Sequence, residues 1–137
     1  MIFTDEESAY LDSQTLGRLA TVQPDGTPQV SPVGFSYNRE LDTIDIAGYS
    51  MSTTQKFRNV VHEPRVAFVV DDVLSVRPWR VRCLEIRGVA ETELDPSPSP
   101  GRDASLIRIH PRRIIAIGLT DPDLEPHLVA PEKRNVG

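Results

Sequence analysis

The chain has 137 residues, with 15 Lys and Arg against 20 Asp and Glu, a net charge of −5 and 39% hydrophobic residues. That length is one domain with room for a core, and the acidic balance argues against a general nucleic-acid or membrane-surface binder. Cys83 alone cannot form an internal disulfide framework, Met1–Asp5 has no basic leader, and no apolar run approaches ~18 residues, so a soluble cytoplasmic protein is expected.

Thr4 followed by Asp5, Glu6 and Glu7 is a capping pattern and predicts a short helix, with Tyr10 and Leu11 as its apolar contacts. The segment from Leu16 to Val22 alternates as a half-buried strand. Pro24-Asp25-Gly26-Thr27 is a hairpin turn, and Gln29 to Tyr37 is the return strand. A second turn at Asn38-Arg39-Glu40 leads to a third strand, Thr43 to Gly48.

Ser52 to Arg65 reads as a short helix with its charges inverted. Ser52, Thr53 and Thr54 are good N-caps, Phe57, Val60 and Val61 form an apolar stripe, and Pro64 stops the run. A helix N-terminus favours Asp or Glu, yet the first two turns hold Lys56 and Arg58 and no acid. A bound anion would reverse that cost, because backbone N–H groups, hydroxyls, an ammonium and a guanidinium would converge on it. A phosphate-bearing ligand fits this pattern, and a solvated helix face is the alternative reading.

Arg65 to Asp71 is rich in β-branched residues and predicts a central strand. Arg80 to Leu94 is a long strand in which Gly88 marks a bulge or bend. Asp95 to Asp103 is a polar connector, and Leu106 to Leu119 closes the sheet across a break at Pro111-Arg112-Arg113. Residues 1–15 then form an N-terminal helical segment and 120–137 a surface or dimer-contacting tail on a single domain. Six strands joined mostly by short turns predict a small antiparallel barrel.

No acid–base or metal constellation is visible. His62, His110 and His127 are scattered, Asp71-Asp72 reads as a turn at a strand end, and Cys83 reads as an inert core thiol. No metal is expected and no catalytic residue is assigned. That absence fits hydride transfer, in which a cofactor carries the chemistry.

The run Leu19 to Val33 (L-A-T-V-x-P-D-G-x-P-x-V-S-P-V) and the helix-and-strand segment Lys56 to Asp72 resemble the pyridoxamine 5′-phosphate oxidase-like split β-barrels. Pro78 to Glu91 and Ile107 to Ile115 resemble one branch of that family, the oxidoreductases that use the deazaflavin coenzyme F420 in place of flavin mononucleotide (FMN). The resemblance implies a mainly β, six-stranded antiparallel split barrel and a homodimer with cofactor sites at the interface. It places the cofactor phosphate at Thr53, Thr54, Lys56 and Arg58. The ring lies along Ser31, Pro32, Val33 and Gly34, where a residue without Cβ admits a flat ring. Trp79 and Arg80, with Arg82, would reach the site from the other subunit. The implied function is hydride transfer between F420 and a small unsaturated or quinone-like substrate. An FMN enzyme on the same barrel and a non-enzymatic F420 carrier are the alternatives. The deazaflavin's oligoglutamate tail could lie along Arg112, Arg113, Lys133 or Arg134.

Overall fold

The computed structural model describes residues 1–120 and 124–137. Helix α1 (Asp5–Ser13) starts with the expected capping box: Thr4 Oγ1 accepts from Glu7 N, and Glu7 Oε1 accepts from Thr4 N. Eight antiparallel strands follow: β1 (Leu16–Val22), β2 (Pro28–Gly34), β3 (Ser36–Asn38), β4 (Thr43–Ala47), β5 (Arg65–Ser75), β6 (Arg80–Leu94), β7 (Ser105–Ile117) and β8 (Glu132–Asn135). Helix α2 (Gln55–His62) lies between β4 and β5.

The main path of the sheet runs β2-β1-β5-β6-β7-β4-β3, with β8 on the free half of β7. Its two ends, β2 and β3, are separated in the chain by Phe35 alone. One bent strand thus supplies both edges, pairing with β1 on one side of the bend and with β4 on the other. The sheet is therefore curled into a split half-barrel. Alternate residues fill it, among them Leu19, Phe68, Val70, Leu84, Ile86, Ile107, Ile109 and Ile114, each at most 1% exposed. Phe35 turns inward at the bend and meets Phe68 edge-on, with ring centroids 5.3 Å apart.

The strand count corrects the expected six in two places. The predicted return strand Gln29 to Tyr37 is broken at Phe35, where the chain changes partner. The tail also contains β8, which is held because Arg134 reaches the buried carboxylate of Glu7 (2.5 and 2.8 Å) and the carbonyl of Ile2 (2.5 Å). Residues 121–123 of that tail lie outside the described residues.

Asp71 and Asp72 do not end a strand, because β5 continues to Ser75. Asp71 pairs with Arg18, and Asp72 with Arg82 and the hydroxyl of Tyr10. The expected break at Pro111 is a bulge. Arg87 pairs with Arg113 and Gly88 with Pro111, so Arg112 is the extra residue and β7, not β6, changes phase. Gly88 permits this, since a Cβ there would lie 2.2 Å from the carbonyl oxygen of His110.

Candidate functional site

The start of α2 is built as its sequence suggests. A short 3-10 turn (Met51–Thr53) leads into Thr54, whose hydroxyl donates to the Met51 carbonyl (2.8 Å) and accepts from Phe57 N (3.3 Å). No acid stands in the first turn. Lys56 is half-buried and has no carboxylate or hydrogen-bond partner among the described residues. Arg58 is exposed and folds back over the turn, donating to the Thr53 carbonyl and to Gln55 Oε1, both at 2.8 Å. Two of its five N–H donors are thus used, and three have no partner among the described residues.

The apolar stripe of α2 differs from expectation. Val60 is buried as predicted, but Val61 is exposed, and the other fully buried side chain is Asn59, at 0% exposure. Its Nδ2 lies 3.0 Å from both Thr21 Oγ1 on β1 and Gln29 Oε1 on β2, and its Oδ1 accepts from Gln55 Nε2 at 2.7 Å. A buried amide is tolerable only when its donors and acceptor are matched. Here they are, and α2 is locked to the β1–β2 hairpin. Sequence reasoning missed Gln55, Asn59, Thr21 and Gln29. The available signal was an Asn one residue before the apolar pair and four after a Gln.

That lock sets the predicted ring strand beside the predicted phosphate helix. Gln29, Ser31 and Val33 share the inward face of β2, and Val30, Pro32 and Gly34 the exposed face. Among the described residues no strand pairs with the outer edge of β2, and Pro28 and Pro32 are compatible with that edge position. Among the described residues neither packing nor turn geometry explains Gly34: its φ is not positive, and the nearest atom to a Cβ there would be the Thr15 carbonyl oxygen at 4.0 Å.

Gly34 also lines a groove of about 840 Å³, with Phe35, Ser36, Asp45, Asp103 and Arg108 among its walls. The Asp45–Arg108 pair (3.0 Å) is half-buried there. Burial would raise the Asp45 pKa, but its bonds to Arg108, Asn38 and Thr43 outweigh burial and hold it below the ordinary value. Asp103 accepts from Ser52 N (3.1 Å) and Ser52 Oγ (2.9 Å), so this wall of the groove is tied to the turn before α2.

Trp79 and Arg80 are not among the walls of this groove and lie far from α2. They sit at the tip of the β5–β6 hairpin, and the ten steps of β5 from Arg65 to Ser75 span roughly 33 Å. Trp79 is 57% exposed, and with Leu74, Val76 and Val81 it makes an apolar patch beside a 130 Å³ notch under Pro126 and Val129. Arg134 is engaged by Glu7, and Arg113 by Asn135, which leaves Arg112 and Lys133 without a carboxylate partner among the described residues. The thiol of Cys83 is half-buried and its pKa is raised by burial and by the charges of Asp71 and Glu85, as suits an unreactive sulfur. Among the described residues no group of His, Cys, Asp and Glu could hold a metal ion, and no helix is long and apolar enough to cross a membrane.

The curled sheet and the helix locked to its first hairpin define a split barrel of the flavin-binding type. The pyridoxamine 5′-phosphate oxidase family matches residues 3–118, and the chain belongs to that family. It is 45% identical over 125 residues (87% of this chain, 85% of the relative) to the 5a,11a-dehydrotetracycline/5a,11a-dehydrooxytetracycline reductase of Streptomyces rimosus subsp. rimosus. Two solved structures are similar. The conserved hypothetical protein Rv2991 of Mycobacterium tuberculosis has a TM-score of 0.71, 21% identity and 91% coverage of both chains. An F420 reductase has a TM-score of 0.59 and 28% identity, covering 76% of this chain and 91% of its own. The chain is an oxidoreductase of this family, which removes the carrier alternative.

Proposed function

We propose that the chain is a homodimeric F420-dependent reductase of a small unsaturated substrate. One observation carries the assignment: the N-terminal turn of α2 has no acid, a capped backbone and an unpartnered Lys56 beside the Arg58 fork. A half-buried cation at the positive end of a helix, without a carboxylate, is unfavourable in the free protein and favourable with a phosphate. Lys56 would supply a point charge and Arg58 its remaining N–H groups, whereas the Thr53 hydroxyl donates to the Ser50 carbonyl at 2.9 Å and shapes the turn. Thr54 acts through the cap it makes.

The open face over Gly34 supports a flat ring along Ser31–Gly34, with the pyrimidine end on the unpaired edge of β2. A ring held there would leave the groove beside Gly34 for the substrate. Reduced F420, when bound, supplies a hydride to the electron-poor carbon of a conjugated C=C, and a proton from water completes the reduction. What the chain contributes is orientation, phosphate neutralisation and a groove of ligand size.

The substrate class follows from the Streptomyces rimosus relative, a reductase of dehydrotetracyclines. A polycyclic enone or quinone-like compound is proposed here. The exposed apolar hairpin tip, about 30 Å from α2 in its own chain, supports a two-fold dimer in which Trp79 and Arg80 approach the partner's groove. An FMN enzyme is the second reading, because the same phosphate turn and open strand suit any tricyclic ring bearing a phosphate.

The test is a turnover assay with reduced F420 and, separately, reduced FMN, using a 5a,11a-dehydrotetracycline as acceptor. Recovery of oxidised deazaflavin absorbance that depends on both enzyme and acceptor supports the assignment. Turnover with reduced FMN alone would move it to the second reading.

A further inference from the structure

The proposed phosphate site does not explain why a helix of eight residues buries an asparagine completely where a leucine would pack. An apolar residue at that place would be neutral only if Thr21 and Gln29, which meet it on β1 and β2, were apolar as well. The asparagine instead begins a chain of hydrogen bonds. Thr21 Oγ1 and Gln29 Oε1 each accept from Asn59 Nδ2 (3.0 Å), Asn59 Oδ1 accepts from Gln55 Nε2 (2.7 Å), and Gln55 Oε1 accepts from Arg58 Nη2 (2.8 Å). The other arm of the guanidinium, Nη1, bonds the Thr53 carbonyl at 2.8 Å. Every polar atom of both amides on this path is directed.

We infer that Gln55 and Asn59 are positioning residues that transmit the sheet's rigidity to Arg58 and hold its fork over the first turn of α2. This rests on the reading of that turn as the cofactor-phosphate site. A free arginine side chain samples many rotamers, and ordering it on binding costs affinity. Arg58 is exposed, so no packing fixes it. Two hydrogen bonds do, one to a backbone carbonyl and one to a glutamine whose own amide is anchored in the core. The three unused N–H donors are thereby presented in one orientation before a ligand arrives. Lys56, two residues earlier and without a partner among the described residues, has no such device. The two cations therefore differ in kind: Arg58 is preorganised and Lys56 is adaptable.

The relay acts only through Arg58, and this makes it separable from a structural role. Gln55→Met keeps chain length and helix propensity while deleting both amide bonds. Wild type, Gln55→Met, Arg58→Ala and the double variant would be titrated with F420 and with FMN, using whichever binds wild type more tightly. Thermal melts of the four apo proteins would run in parallel. Gln55→Met should weaken binding about two- to tenfold in the wild-type background and cause no further weakening in the Arg58→Ala background. Equal weakening in both backgrounds, or none in the first, overturns the relay while leaving the phosphate site standing. Unchanged affinity in both Arg58→Ala and Lys56→Ala overturns the phosphate site itself. Should Gln55→Met melt well below wild type, the four titrations are repeated at a temperature where all four proteins are folded, and the same criterion holds: weakening by Gln55→Met that persists in the Arg58→Ala background overturns the relay.

Discussion

Lys56→Ala separates a ligand-binding lysine from a structural one, because the two readings give opposite signs. Lys56 is the second residue of α2, beyond the Thr54 cap, half-buried and without a carboxylate. In the free protein its ammonium opposes the helix dipole, an effect of about 0.3–1 kcal/mol. Removing it should leave apo stability equal or slightly higher. On the proposed assignment it would make a charge-assisted hydrogen bond to phosphate, about 1.5–3 kcal/mol. The dissociation constant for F420 should therefore rise by about 10- to 150-fold. Fluorescence titration gives the affinity, and urea melts of the same preparations give the stability. A lysine in solvent would leave affinity unchanged, and one held by an acid would lower apo stability on removal. Unaltered affinity in Lys56→Ala and in Arg58→Ala alike would refute the phosphate assignment.

Gly34→Leu should leave the melting temperature of the free protein nearly unchanged, since its Cβ meets nothing closer than 4.0 Å, and should weaken cofactor binding at least about tenfold by blocking the ring's approach. A fall in stability with intact binding would make Gly34 a packing residue. Arg134→Met should cost about 2–3 kcal/mol in urea melts, since it leaves the Glu7 carboxylate, 3% exposed, without its cation, and Arg134 itself is 32% exposed. Burial raises the Glu7 pKa, but the Arg134 and Thr4 bonds outweigh it and leave the pKa below its ordinary 4.5. The stabilisation is thus present above about pH 4.5 and is lost as pH falls through the folded-state pKa. Glu7→Gln should flatten that acid limb of the stability profile, and an unchanged limb would refute the assignment. Sedimentation at micromolar concentration should give a dimer of the 15.3 kDa chain, and Trp79→Asp should shift it toward monomer. A wild-type monomer would remove the shared-site arrangement.

The elements that announced themselves in the sequence are those governed by local physics. The Thr4 capping box, the Pro24–Thr27 turn, the cap of α2 and the alternating strands were all legible from neighbours within four residues. The break at Phe35 was not. It arises because one strand must serve both edges of a curled sheet, a demand of closure that no local pattern encodes. The β8 strand was equally hidden, since Glu132–Asn135 has no apolar alternation and is placed by Arg134 reaching Glu7, 127 residues away. Gly88 signalled a bulge correctly, but the extra residue is Arg112 on the partner strand. At the candidate site, the inverted charge of α2 was legible because a helix dipole has a fixed sign. The burial of Asn59 in place of Val61 was not, because a hydrophobicity pattern scores an asparagine as exposed. Its partners Thr21 and Gln29 lie 38 and 30 residues away and only folding brings them together.

The central proposal is that the phosphate turn of α2 and the open strand at Gly34 hold a phosphate-bearing tricyclic cofactor, and that this cofactor is the deazaflavin. The most direct measurement is a paired titration of protein purified from a host that lacks F420, with F420 and FMN added separately and fluorescence as the readout. The account predicts a colourless preparation that binds F420 in the micromolar range, about −8 kcal/mol, and FMN at least about tenfold more weakly. A yellow preparation carrying stoichiometric flavin, or tighter binding of FMN than of F420, would contradict it.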